Sequence, residues 1–532
     1  SMDRTRNERE SFARASAEIS EDKLNRYIKH PIWSSIGLHP RAFFVGLSFL
    51  LLTDILDALY PLFLKETIDA LAKGLSMANI QSTVANLFAV MATLALTRYM
   101  WRVGFGFYGA TTAEFLRTQL YRHLLKLDQT FFNKNSIGEL MSLLVSDIQA
   151  FRGAVNQGLM IFLDGVFIIG IVAPVMLSLN HEWTIKTLIF LPLLPVAIFF
   201  LSRTIQAKFL IEQEKQGALS GHTQEYIAGI RVVKSFAQAE NRLKTFHQIS
   251  SELEGASNTA WFYERLFGPM MQVGLALSTG ILLYIASDDL IAGTVTAGSF
   301  VAFTAYLRKM VWPMTAIGFG ISSIRKGMAS LERIKNVLRI QPHVRNLGTT
   351  ELTQIESIEF RNVSFRYEQS ESQPMALKNV SFRLEGGHNM GIIGGVGSGK
   401  TTLVNLLVRL YDVSEGQILI NNQPIQEYTL RSLRQQISLV PQDAFLFSDS
   451  VKNNLMFGNF SHPQDHEFEW VSDVVDMQKE IQQMPNQFET QLGEKGVNLS
   501  GGQRQRLTIA RAIMTNPSLT ILDDSLSAVD MT

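Results

Sequence analysis

The chain has 532 residues, too many for one hydrophobic core at roughly 100–200 residues per domain, so at least two domains are expected. Lys plus Arg and Asp plus Glu number 48 each, which leaves no bulk positive field to draw nucleic acid. No cysteine is present and the 10 histidines lack spacings such as HExxH, which argues against disulfides, a cysteine nucleophile and a zinc-type centre.

Residues 1–30 are highly charged and lack a cleavable signal pattern; the leading Ser-Met pair reads as a cloning remnant. Six apolar segments follow: Ala42–Leu64, Val84–Trp101, Gly158–Leu179, Thr184–Leu201, Gly268–Ala286 and Ala297–Ile321. Each approaches or exceeds the roughly 18–20 residues that a helix needs to cross hydrocarbon. Buried helices of a soluble α protein would explain one such segment, but not six in series. No such segment recurs after residue 340, so the pattern predicts a six-span helical membrane domain fused to a soluble C-terminal domain.

Orientation follows from the connections. The loop between segments two and three carries Arg102, Arg117, Arg122, Lys126, Lys134 and Arg152. The loop between four and five carries Arg203, Lys208, Lys215, Arg231, Lys234, Arg242, Lys244 and Arg265. The alternate connections hold only Lys65 and Lys73. Positive charge stays on the cytoplasmic side, which places both long loops, both termini and the C-terminal domain inside; the absence of an organelle transit pattern points to a plasma (bacterial inner) membrane. Amphipathic stretches at Glu114–Leu127 and Gln224–Ala237 predict that the loops continue the helices into the cytoplasm.

Residues 391–402 read GIIGGVGSGKTT, in which Gly394, Gly399, Lys400 and Thr401 fit the phosphate-loop spacing GxxxxGK[ST]. Gly394, Gly395, Val396, Gly397, Ser398 and Gly399 would turn backbone N–H groups toward a polyphosphate, with Thr402 continuing into a helix whose positive end faces it. Lys400 would reach the β- and γ-phosphates and the Thr401 hydroxyl would reach Mg²⁺. The HNMGIIGG run predicts a strand leading into the loop. A second strand, Leu519–Leu522, ends in Asp523 and Asp524; the first acid would hold Mg²⁺ and the second would face an attacking water. Ser500, Gly501, Gly502 and Gln503, in LSGGQ, form a further anion-binding helix start.

The succession GxxxxGKT, LVPQD, LSGGQRQR and LTILDDSLSAVD resembles the ATP-binding cassette (ABC) family, and six membrane helices ahead of it resemble an exporter half-transporter. The resemblance covers essentially the whole chain. It implies residues 1–340 as the membrane domain, 341–353 as a linker and 354–532 as an α/β P-loop ATPase, with ATP and Mg²⁺ as ligands. FFNKNSIGELMSLLVSDI (131–148) and EYIAGIRVVKSFAQ (225–238) resemble the family's two cytoplasmic loops with their coupling helices. By the same resemblance Tyr367 would stack on adenine, and Gln442 would touch Mg²⁺ and the attacking water. Asp530 would lie at a dimer interface and Glu494 near the coupling helices. Ser500, Gly501 and Gly502 would then bind the γ-phosphate held by the other subunit.

Two departures from the family pattern stand out. The residue after the magnesium carboxylate is Asp524 where the family usually has Glu, as in the degenerate-site subunits of heterodimeric exporters. The shorter side chain sets the carboxylate back by about an ångström, which can slow a catalytic step on the order of 100-fold. The family also places a switch histidine after the SAVD segment, and none follows here, so an intact protein roughly 40–60 residues longer is expected.

Ionisable residues inside the spans are candidates for cargo contact: Asp54, Asp57, Arg98, Asp164, Arg308 and Lys309. Trp101, Phe105, Phe303, Met310, Trp312 and Met314 could form an adaptable apolar cavity beside them. The reading is ATP-driven export or flipping of an amphipathic drug, lipid or peptide across the bilayer, with a second half-transporter as partner and no role for nucleic acid. A homodimeric exporter, an ATP-gated channel and a soluble repair-type ATPase are the alternatives; the last leaves the six spans unexplained.

Overall fold

The computed structural model describes residues 29, 31–73, 77–188, 193–367, 374–459, 463–493, 496 and 498–524. Glu494 and Asp530 lie outside the described residues, as do the side chain of Met314 and part of the fourth apolar segment. Contacts divide the chain into two units, Ser1–Arg122 with Met141–Leu338, and His123–Leu140 with Arg339–Thr532.

The first unit is helical. Hydrocarbon offers no partner for backbone N–H and C=O groups, so a spanning segment must satisfy them within its own helix. Its first long helices are α1 (Pro40–Ala72), α2 (Met77–Lys126) and α4 (Ile137–Leu179); the short α3 (Gln129–Lys134), between the last two in sequence, belongs to the second unit. After them come α5 (Leu193–Ala228), α6 (Ala239–Arg265), α7 (Phe267–Ile291) and α8 (Ala297–Leu338). Among the described residues four helical stretches are long and apolar enough to cross a membrane: Pro40–Ala72, Gln81–Lys126, Ile137–Leu179 and Ala239–Ile291. The sixth expected segment lies in α8 and carries Arg308 and Lys309. Asp69 of α1 caps the start of α8, its Oδ1 accepting from the Gly298 backbone N–H at 3.0 Å and its Oδ2 from the Thr296 hydroxyl at 2.9 Å. A carboxylate there complements the positive helix end.

α8 packs along α4 and α1. Trp183 is fully buried edge-on against Phe303, and its Nε1 donates to Asp289 Oδ2 at 2.8 Å. Tyr306 donates to the Ala58 carbonyl. Phe105, Phe303 and Met310, expected at a cavity wall, are instead packed into the interior: Phe105 against Phe43, the other two in the cluster around Trp183. Large apolar side chains fill helix interfaces when their neighbours leave no free volume. α4 is interrupted by two π-helical stretches, Leu143–Asp147 and Ala154–Gly158. The second of these lies against Gly327 of α8, where an added Cβ would stand 2.3 Å from Ala154 Cβ and 2.8 Å from the Ala150 carbonyl oxygen. Only a residue without a side chain admits so close an approach between helices.

In the second unit, β1 (Ser357–Phe365), β2 (Leu377–Glu385), β3 (Glu415–Ile420) and β4 (Gln423–Pro424) form an antiparallel sheet in the order β2-β1-β3-β4. Phe360 faces Phe382 on one side and Ile418 on the other, so alternate β1 side chains enter the core with Leu406 and Leu433. β5 (Ile437–Val440) and β6 (Leu519–Leu522) form a separate parallel pair, with Ile437 opposite Leu519 and Val440 opposite Leu522. A second core surrounds α10 (Gly501–Met514) and includes Leu446, Phe468 and Leu507; α9 (Lys400–Leu407) precedes it in the chain and packs in the first. α3 belongs here through specific polar contacts. Asp128 Oδ2 accepts from the backbone N–H groups of His343 and Val344, and Asn133 donates to the Tyr411 hydroxyl at 2.9 Å. Burial opposes the charge on Asp128, but the His343 and Val344 N–H groups outweigh it and hold the carboxyl below the usual carboxylate range.

Two measurements check this packing. Gly327→Val should destabilise the membrane unit by about 1–3 kcal/mol, read as a lowered Tm in nanodiscs. Asp128→Ala should raise hydrogen exchange at the His343 and Val344 amides by roughly 5- to 100-fold. Because the folded pKa of Asp128 is depressed, its contribution is complete above the ordinary value of about 4 and fades as pH falls through the folded value, so the variant's difference should shrink in acid.

Candidate nucleotide site

Parallel pairing in register sets the floor of the site. With Val440 beside Leu522, the residues leaving both strands emerge at one edge, and the Asp523 N–H donates to the Val440 carbonyl at 3.0 Å. Gln442 and Asp524 thereby meet, Gln442 Nε2 donating to Asp524 Oδ2 at 3.4 Å. Gln505, on α10, donates to the Asp524 backbone carbonyl at 3.4 Å, which ties the helix beginning at Ser500 to the same corner. Asp524 adopts a left-handed φ of 49°.

The glycine-rich loop enters α9 through Gly399, whose φ of 92° would strain any side chain. A Cβ there would also stand 2.7 Å from the Ala376 carbonyl oxygen. Lys400 Nζ donates to the carbonyls of Gly394 at 2.7 Å and Gly395 at 2.9 Å, which brings the amine back over the loop. Val396 is fully exposed at the tip, and a Cβ on Gly395 or Gly397 would meet nothing within 4 Å, so no protein atom fills the loop on that side. The Ser398 N–H donates to the Gly395 carbonyl at 3.3 Å. Thr402 shares a 2.8 Å hydrogen bond with the Tyr367 hydroxyl. The Tyr367 ring stands edge-on to Phe365 and Tyr411 and is 39% exposed, leaving aromatic surface to stack on.

One expected element is absent. The residues before the loop, Met390–Gly394, form no strand; Ile393 is 99% exposed and no described residue pairs with the segment. An apolar run becomes a parallel strand only where a neighbour takes up its N–H and C=O groups and both faces are covered, and neither condition holds here.

The residues fit a divalent ion. Thr401 Oγ1 donates to Asp523 Oδ2 at 2.9 Å. Mg²⁺ prefers octahedral oxygen ligands at about 2.0–2.1 Å, which sets adjacent ligand atoms about 2.9 Å apart. The hydroxyl and carboxylate already have that spacing. Ser500 begins α10 with a capping box: its Oγ accepts from the Gln503 N–H at 3.2 Å, and Gln503 Oε1 accepts from the Ser500 N–H at 2.8 Å. Nothing lies within 4 Å of a Cβ placed on Gly501, so the start of α10 is open at that residue. Sequence reasoning missed Gln505 and Asp128, whose partners lie 19 and 215 residues away. Only the N-cap position of Asp128 before α3 is a local signal.

Residues 43–314 match the model of the ABC transporter transmembrane region, and residues 377–527 match that of the ABC transporter. The chain belongs to the ABC transporter family. A probable multidrug resistance ABC transporter ATP-binding/permease protein of Bacillus subtilis is 34% identical over 490 residues, spanning 91% of this chain and 83% of that protein. The multidrug resistance-like ATP-binding protein MdlA of Escherichia coli is 31% identical over 453 residues, 84% of this chain and 75% of its own. An ATP-dependent lipid A-core flippase of Haemophilus influenzae is 31% identical over 418 residues, 78% and 70% respectively. In fold, the chain is similar to a bacterial Atm1-family ABC exporter solved with ATP bound, with TM-score 0.72 and 22% identity over 92% of this chain and 86% of that one. This ABC transporter therefore fuses a helical membrane domain to an ATPase domain, and couples ATP hydrolysis to transport.

Asp523→Asn should lower the Mg²⁺ affinity of the nucleotide-bound chain by about tenfold or more. A fluorescent ATP analogue titrated with and without Mg²⁺ measures it; unchanged Mg²⁺ dependence would place the ion elsewhere.

Proposed function

We propose that this chain is one half of a heterodimeric exporter that moves amphipathic compounds (drugs, lipids or peptides) across the membrane, and that its own phosphate loop forms the slower of two ATP sites. The observation that carries the asymmetry is Asp524, a short acid in the position from which a general base would activate water. The multidrug and lipid-flippase names of its relatives support an amphipathic cargo.

In this reading residues 1–340 form a six-span domain, 341–353 a linker and 354–532 the ATPase, with termini and ATPase cytoplasmic on the positive-inside rule. Tyr367 stacks on adenine. The N–H groups of residues 394–399 and Thr402, with the Lys400 amine, hold the phosphates. Thr401, Asp523 and Gln442 hold Mg²⁺, which supplies charge neutralisation to the β- and γ-oxygens. Ser500, Gly501, Gly502 and Gln503 face the γ-phosphate bound by the partner subunit, so an intact LSGGQ serves the partner's faster site. Gln442 orients the water and Asp524 accepts its proton slowly, because its carboxylate sits back by about one methylene. ATP closes the ATPase pair, the cytoplasmic loops carry closure to the spans, and hydrolysis resets them.

Native mass spectrometry of the full-length protein from its own host should find a different half-transporter carrying Glu at the position of Asp524. Asp524→Glu should then raise single-site ATP turnover at this chain's loop by roughly 10- to 100-fold. A homodimer whose turnover does not respond to that substitution would remove the asymmetric reading.

A further inference from the structure

A cavity of about 440 Å³ opens within the membrane unit between α1, α2, α4 and α8. Its charges are not evenly engaged. Asp57 takes up two cations, accepting from Arg98 at 3.2 Å and from Lys309. The remaining carboxyls, Asp54 and Asp164, lie within hydrogen-bonding reach of each other, and among the described residues neither forms an ion pair. Asp54 is only 4% exposed, and its buried Oδ2 accepts no hydrogen bond. Asp164 Oδ2 accepts from Trp312 Nε1 at 3.2 Å, which sets that indole at the cavity wall. Trp101 lines the wall too, and its Nε1 is likewise buried without an acceptor.

Burying a carboxylate without a donor is expensive, and doing so beside a second carboxyl more so; in a membrane span such a group marks a functional site. A cation donated from outside relieves both. Of the three cations lining the cavity, the lysine and Arg98 are held by Asp57 and the Arg102 guanidinium lies over the Trp101 ring at 5.2 Å, so an anion gains little here. The Trp312 indole adds attraction for a positive centre and apolar contact for the rest of a guest. The geometry points to this cavity as a cargo site for an amphipathic organic cation, its charge seated beside the Asp54–Asp164 pair and its apolar body against Trp312. The inference rests on the export reading and names the class of cargo.

The test is equilibrium binding to the nucleotide-free full-length transporter in nanodiscs, using tetraphenylphosphonium and its size-matched anion tetraphenylborate. The cation should bind more tightly, relative to its partitioning into empty nanodiscs, by roughly tenfold or more. The double substitution Asp54→Asn/Asp164→Asn should erase that preference, whereas a merely structural role would weaken both probes together. Equal binding of the two probes by the unaltered protein overturns the inference without any variant having to fold, and so does a preference that survives the double substitution. Displacement of the bound cation by phosphatidylethanolamine but not phosphatidylglycerol assigns the charge to a lipid headgroup; no displacement by either assigns it to a free compound. ATP-driven cargo movement without a charge preference would sink this inference alone, while absence of any ATP-driven movement would sink the export reading itself.

Discussion

The membrane half depends on one constraint: each peptide group crossing hydrocarbon must bond within its own helix. That requirement makes long uninterrupted rods the only available material. α2 has 50 residues, about 75 Å at 1.5 Å per residue, more than twice the roughly 30 Å of hydrocarbon it must cross. Residues 123–140, which hold the end of α2, all of α3 and the start of α4, belong by their contacts to the ATPase unit. Asp128 and Asn133 fix that stretch to His343 and Tyr411 with directional bonds rather than apolar area.

The same economy of strand pairing assembles the nucleotide corner. Two four-residue strands in register are enough to bring Gln442, Asp523 and Asp524 to one edge, although 80 residues separate the first two in sequence. The Thr401–Asp523 bond then closes the corner onto the phosphate loop. Every group there is exposed or half-exposed, so its order comes from the backbone around it rather than from burial.

Much of this was legible from residues alone, because the nucleotide motifs are local: a phosphate loop needs its glycines, lysine and threonine within a few positions. What depended on distant partners was not. The HNMGIIGG run has the composition of a strand, but pairing is decided by a neighbour, and Ile393 has none among the described residues. Asp54 and Asp57 lie one turn apart on α1, yet Asp57 turns to Lys309, 252 residues away, and Asp54 to Asp164. Likewise Phe105 and Trp101 share one composition class and one helix, but only the tryptophan reaches the cavity. Apolar bulk tells that a side chain will be covered; which neighbour covers it is a property of helix crossings.

The π-helical stretches in α4 bear on how this protein is compared with others. Each winds about one extra residue into a turn and so rotates everything beyond it by about 100° relative to an unbroken helix. A helical wheel drawn through residues 137–179 as one continuous helix would therefore assign the Asp164 face to the wrong side of the helix. A gap placed one residue off within 143–158 would likewise offset the positions compared there by about 100° around the helix.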